Sequence, residues 1–204
     1  MFESLAEFVQ ESERTGQSLA DVVIAAEMET SGLTLDAVRE KMNKRLQIMR
    51  QSAQRGLDAP IKSLSGISGG SAHKFWGWLA GHKPVTGSVM SRAVARAMAV
   101  NEVNAGMGCI VATPTAGSAG ILPATLITLQ EEYRFSDDEI IDALFVASGI
   151  GMVVVNRANV SGAMGGCQAE TGSAAAMAAG AGVSLLGGSP RQSAHAAAMT
   201  LKNM

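Results

Sequence analysis

Aromatic side chains are scarce in this 204-residue chain, with two Trp, one Tyr and five Phe. Positive charge is not in excess either, since 16 Lys and Arg face 18 Asp and Glu for a formal net charge of −2. Together these exclude nucleic acid as a partner, because single strands are held by stacking on aromatics and duplexes by clustered cations. Cysteine occurs only at Cys109 and Cys167, far apart in sequence. That spacing excludes a secreted disulfide scaffold, a four-thiolate metal site and a Cys-Xaa-Xaa-Cys redox pair. The N-terminus shows no basic segment followed by an apolar stretch, so a reducing, cytoplasmic setting is expected. Charge is absent from Thr171 to Pro190, a membrane-spanning length, but Ala, Gly and Ser dominate that run and Gly187-Gly188-Ser189-Pro190 interrupts it. Such material suits tight helix packing rather than hydrocarbon, and no membrane partner is expected.

What the chain does contain is a large apolar complement, 47% of its residues, enough for a substantial core. The charges gather at the front: residues 143–204 carry only Arg157, Glu170, Arg191 and Lys202. A single helical domain over 1–204 is predicted, with a charged N-terminal segment over 1–60 and a core rich in small residues over 61–204.

Helix-start signals recur along the chain. Ser4 with Glu7 and Ser136 with Glu139 have capping-box spacing, Ser18 precedes a further helix, and Ser189, Pro190 and Gln192 start the last one. Thr34 opens a longer one in which Leu35, Val38, Met42, Leu46 and Met49 share a face, while Arg39, Lys41, Lys44 and Arg45 lie on a solvated one. It ends near Asp58-Ala-Pro60. Between about Thr86 and Val103, the residues Met90, Ala93, Ala97, Val100 and Val103 form another apolar face, and Pro123 fits the first turn of the helix after it. Cys109-Ile-Val-Ala112 and Met152-Val-Val-Val155 read equally as short strands or buried helix. The fold class is therefore all-α.

Three loops rich in Gly, Ser and Thr separate the apolar stretches: Ser63-Leu-Ser-Gly-Ile-Ser-Gly-Gly-Ser-Ala-His73, Thr113-Pro-Thr-Ala-Gly-Ser-Ala-Gly120 and Ser161-Gly-Ala-Met-Gly-Gly-Cys-Gln-Ala-Glu170. Amides at such loops and helix starts stabilise anions or a thiolate, which suggests a buried polar site framed by helices. Glycine in turns explains each loop singly. Thr113, Thr115, Ser118, Asn159 and Ser161 offer hydroxyls and amides to a carboxylate, although turn-forming hydrogen bonds account for the same residues. Cys167, ahead of a helix-forming run, is a candidate nucleophile or soft-metal ligand. Cys109 reads as a small buried hydrophobe. His73 and Lys74 close the first loop, where a base or a Schiff-base lysine would sit. His82, in a Gly-His-Lys-Pro turn, and His195, in an alanine-rich helix, read as exposed and structural respectively.

Taken in order, Ser65-Gly-Ile-Ser-Gly-Gly70, Asn101-Glu-Val-Asn-Ala-Gly-Met-Gly108, Thr113-Pro-Thr-Ala-Gly-Ser-Ala-Gly-Ile-Leu-Pro123, Ser161-Gly-Ala-Met-Gly-Gly-Cys-Gln-Ala-Glu170 and the terminal Ala198-Met-Thr-Leu-Lys-Asn-Met204 resemble the alpha chain of iron–sulfur L-serine dehydratase. The resemblance implies a [4Fe-4S] cluster held by three cysteines, with Cys167 matching the first and the other two lying beyond Met204. It implies conversion of L-serine to pyruvate and ammonia, with the cluster as Lewis acid on the substrate hydroxyl. The hydroxyl- and amide-rich loops then become the carboxylate clamp, with Ser65, Ser68, Thr113, Thr115, Asn159 and Ser161 as candidates and His73 as the candidate base. A beta chain or further copies of the chain are the implied partners. Two other readings remain: a chain that is catalytically incomplete and works only by assembly, and a pyridoxal phosphate enzyme using Lys74, for which the expected α/β pattern is missing.

Overall fold

The computed structural model describes residues 2–204, and among these every regular element is helical. In chain order they are α1 (Leu5–Thr15), α2 (Leu19–Ser31), α3 (Leu35–Asp58), α4 (Ser71–Leu79), α5 (Ser88–Ala105), α6 (Ile121–Tyr133), α7 (Asp137–Arg157), α8 (Gly162–Leu185) and α9 (Pro190–Asn203). The all-α expectation holds. Met152–Val155 lies within α7, and Cys109–Ala112 has no regular structure and no strand pairing. The one bridge outside the helices among the described residues joins Lys62 to Gly69, antiparallel.

Contacts group the chain into two compact units, one formed by residues up to Lys44 with Phe135–Met204 and the other by Arg45–Arg134. Neither boundary falls at the change of composition near residue 60, because α3 runs unbroken from Leu35 to Asp58 and contributes a part to each.

In the first unit, α7 is apolar on most of its circumference, and Ile140, Leu144, Phe145, Val146 and Ile150 are buried along it. Glycine lets its neighbours approach closely: a Cβ at Gly149 would sit 2.6 Å from Phe8 Cζ and 2.8 Å from Val23 Cγ2. On α8, Gly180 faces Ile150, and its carbonyl accepts the Ser193 hydroxyl of α9 at 2.8 Å. The charge near the front of the chain is partly consumed here, since Arg39 donates to Asp142 at 2.6 Å and to Asp138 at 3.2 Å.

In the second unit, Ala53, Val100, Ala119 and Ile127 form one apolar cluster against which Ile110 packs. Leu57, Ala72, Ala95 and Ala99 form another, covered by Phe75, Trp76, Leu79 and Met98. Each fully buried large side chain such as Leu122 or Leu126 contributes about 1.5–3 kcal/mol relative to exposure. Buried Arg96 crosses from α5 to α6, donating to Thr128 Oγ1 at 2.8 Å and to Glu131, with its guanidinium 5.4 Å from the Trp76 ring centre. The expected face of α5 holds at its C-terminal end, where Val100 and Val103 are buried, but Met90 is exposed, and Ser91, Ala95 and Ala99 are buried as well. The small side chain at 99 lets α3 approach closely at Gly56, so small residues share the buried side with Val100 and Val103.

Candidate functional site

The last turn of α5 organises the hydroxyl loops of the second unit. Gly106 and Gly108 carry the chain past the helix end, where a Cβ at 106 would sit 2.7 Å from Ile61 Cγ2 and one at 108 would sit 3.3 Å from Arg55 Nη1. Leu64 N–H donates to Ala105 O at 3.2 Å, which seats the first loop on this turn. Within that loop, Ser63 N–H donates to Ser68 O at 2.9 Å, and the Ser63 and Ser65 hydroxyls lie 3.2 Å apart. Lys62 Nζ donates to Gly69 O at 3.2 Å. At the loop's far end, Glu102 Oε1 accepts the amides of Ser71 at 2.8 Å and Ala72 at 3.2 Å.

The second loop is held from the same turn, through Asn104 Nδ2 donating to Ala116 O at 3.1 Å. Its interior is tightly bonded. Thr115 and Ser118 hydroxyls are 2.9 Å apart, Ser118 Oγ donates to Thr113 O at 3.0 Å, and the Thr113–Pro114 peptide is cis. Thr113 is buried, and its Oγ1 has no hydrogen-bond partner. Ser65, Ser68, Thr113 and Thr115 are thus gathered at one end of α5. They differ in setting, since Ser65 and Ser68 are exposed while Thr113 and Ser118 are buried. The polar site is therefore only partly buried, because the first loop, although seated on the end of α5, holds Leu64 and Ile67 out in solvent.

His73, in the first turn of α4, has Nδ1 2.7 Å from Leu57 O. A carbonyl only accepts, so Nδ1–H donates and Nε2 keeps the lone pair of the neutral ring. Lys74 beside it is exposed, as is His82, which stacks on Trp78 with ring centres 4.5 Å apart. His195 is exposed on α9. Cys109 corrects the sequence expectation, since it is exposed. Its neighbour Ile110 is the residue of this segment that packs on the core.

The remaining candidates belong to the first unit and cluster at the start of α8. Asn159 Oδ1 accepts Ser161 N–H at 2.9 Å, and Asn159 Nδ2 lies 3.3 Å from Met164 Sδ. The helix breaks at Gly166, whose φ of 82° and ψ of 166° are non-helical, and Cys167 opens the segment that follows. Cys167 is exposed, and its carbonyl accepts the Thr171 hydroxyl at 2.8 Å. The Glu170 carboxylate folds back over Gly162, where a Cβ would sit 2.6 Å from Oε2. Beside this start lies a cavity of about 420 Å³ with Arg157, Asn159, Gln168 and Ser173 among its polar lining and Val153 and Leu201 among its apolar.

Cys167 fits one ligand of a metal centre by exposure and placement. A whole iron–sulfur cluster does not fit the described residues alone, because no three His, Cys, Asp or Glu side chains among them come together to hold a metal. Nor is any described helix long and apolar enough to cross a membrane.

Sequence reasoning missed Glu102, Asn104, Arg55 and Lys62. A local signal existed for Glu102 alone: it is the single acidic residue of α5, and Gly70 gives α4 no capping side chain.

The family model described as the serine dehydratase alpha chain matches residues 14–204. Over its whole length the chain is 44% identical to a probable L-serine dehydratase alpha chain of Bacillus subtilis, covering 68% of that protein. It is 37% identical over 204 residues to the L-serine dehydratase alpha chain of Peptoniphilus asaccharolyticus, covering 70% of it. L-serine dehydratase 1 of Escherichia coli is 42% identical over 108 residues, which are 52% of this chain and 24% of that one. A match across nearly every element from α1 to α9, with all three glycine-rich loops and Cys167 inside it, places this chain in the serine dehydratase alpha chain family.

Proposed function

We propose that the chain takes part in the deaminating dehydration of L-serine. Similarity across its full length to alpha chains named for that activity carries the reading. The gathering of two hydroxyl-bearing loops on one turn of α5 gives it a physical location. Serine loses water across Cα and Cβ, and the enamine so formed tautomerises and hydrolyses to pyruvate and ammonia. The substrate carboxylate is bound by hydroxyls and amides of Ser65, Ser68, Thr113 and Thr115, with the buried Thr113 Oγ1 a donor that no protein group claims. Asn159 and Ser161 serve the same purpose at the start of α8. His73, with its lone pair on Nε2, is the proposed base for the α-proton.

A [4Fe-4S] cluster, with Cys167 as one thiolate ligand, would supply Lewis acidity toward the substrate hydroxyl. One thiolate does not hold a cubane, so the other ligands must come from elsewhere than the described surroundings of Cys167. The designation of the relatives as alpha chains favours assembly with a partner, either a beta chain or further copies of this one, and the proposed setting is the cytoplasm.

The test is anaerobic reconstitution with iron and sulfide, with and without a beta chain, followed by iron counts and pyruvate formation from L-serine. Iron uptake and turnover that both disappear in Cys167→Ser support the reading. An intact cluster in Cys167→Ser overturns the ligand assignment, and a reconstituted wild-type assembly that makes no pyruvate overturns the activity.

A further inference from the structure

Both ends of the first glycine loop depend on the turn of α5 that also holds the second loop. α4 begins after Gly70, which has no side chain with which to cap the helix. Glu102, 31 positions from Ser71, supplies the missing acceptor through Oε1 and sets negative charge at the positive end of the helix. Its other oxygen, Oε2, is buried without a hydrogen-bond partner, so every hydrogen bond shown for this carboxylate goes to the start of α4. The Leu64 bond to Ala105 O fixes the opposite end of the loop, and the Asn104 bond to Ala116 O ties in the second loop from between these two anchors.

We propose that Glu102 is a positioning residue for substrate binding. By locking the N-terminus of α4 to the end of α5, it fixes the spacing between the Ser65 and Ser68 hydroxyls and those of Thr113 and Thr115. It touches no substrate itself. The inference takes its substrate from the serine dehydratase reading, but the loop anchoring stands on geometry alone.

The experiment compares Glu102→Ala and Glu102→Gln with wild type in the reconstituted, active assembly, using steady-state kinetics for L-serine and amide hydrogen exchange. In Glu102→Ala, two charge-assisted bonds to backbone amides are lost, so exchange of amides 64–72 rises about tenfold or more while those of α3 and α6 stay as they were. KM for L-serine rises about tenfold while kcat stays within about threefold, the signature of lost binding geometry rather than lost chemistry. Gln keeps a carbonyl oxygen for the same amides, so Glu102→Gln restores most of the KM and the protection. Unchanged exchange in 64–72 overturns the proposal, as does exchange raised evenly across Arg45–Arg134, which is the mark of a merely structural residue. A loss confined to kcat overturns it too. If the wild-type assembly makes no pyruvate, the dehydratase reading fails by itself, and the exchange pattern still decides whether Glu102 anchors the loop.

Discussion

Replacing Gly56 by Ala tests the packing between α3 and α5, because two effects of opposite sign meet there. In an open helix interior, Gly→Ala stabilises by about 1 kcal/mol through backbone entropy and helix propensity. At Gly56 the added Cβ would lie 2.6 Å from Ala99 O, 2.8 Å from Ala99 Cα and 2.8 Å from Ala99 Cβ. Two of those atoms are backbone and the third is fixed to it, so no rotamer change relieves the clash. Reaching ordinary contact at about 3.5 Å requires the helices to part by roughly 0.5–1 Å, which forfeits a quarter to a half of the dispersion energy of the neighbouring contacts. Overpacking of this kind costs about 1–3 kcal/mol or more, and it outweighs the propensity gain. A net loss of about 1–2 kcal/mol corresponds to a fall in Tm of roughly 2–8 °C for a chain of this size. Gly77 in α4 is the control, since nothing lies within 4 Å of where its Cβ would stand, and Gly77→Ala is expected to stabilise by about 0.5–1 kcal/mol. Urea and thermal unfolding followed by far-ultraviolet circular dichroism give both values. A Gly56→Ala protein as stable as wild type refutes the argument, because it means that the close approach of α3 to α5 is not real or not rigid.

Arg96→Ala removes a buried cation whose partner Glu131 is 44% exposed, so the loss is discounted to about 2 kcal/mol, read as a lower urea midpoint. Ser136→Ala deletes the side-chain cap of α7 and is expected to cost about 1 kcal/mol in the same assay. The Ser136 hydroxyl first, and its backbone amide second, hold the Glu139 carboxyl below the ordinary glutamate value of 4.5. A depressed folded value contributes stability that is present above the unfolded value and lost as pH falls through the folded one, so the acid limb of stability against pH is shallower in Glu139→Gln. Glu13, lowered chiefly by its hydrogen bond from Arg191, follows the same sign, and Arg191→Gln removes that part of the acid dependence.

Local signals were the legible part of this fold. Ser18, Ser136 and Ser189 each cap a helix whose third residue returns a bond to the cap, because such boxes close within four residues. Ser4 accepts from Glu7 N–H, but Glu7 returns its bond to Glu3 N–H instead, so that box is only half made. The start of α5 falls at Ser88 rather than near Thr86, whose hydroxyl pairs with the Ser91 hydroxyl at 2.8 Å. The loops were visible as Gly, Ser and Thr clusters, whereas the residues holding them were not. Glu102 acts on amides about thirty positions away, and Asn104 on a carbonyl in the next loop, so neither contact leaves a trace in spacing or periodicity. Cys109 was misread for the related reason that sequence alone did not say which residue of this irregular segment the core would take, and Ile110 took it.

Glycine plays two separate physical roles in this chain, and the distinction bears on Cys167. Gly56, Gly149 and Gly180 lie where a Cβ would strike a neighbouring helix, so their absence of a side chain is a packing requirement. At Gly166 nothing lies within 4 Å of a Cβ position, and packing does not explain the residue. Its φ of 82° does, since an L side chain there costs roughly 1–2 kcal/mol. That dihedral interrupts the helical geometry of α8 immediately before Cys167. The break thus places the exposed Cys167 thiol at the head of the helical segment that follows it, where the helix N-terminus favours negative charge.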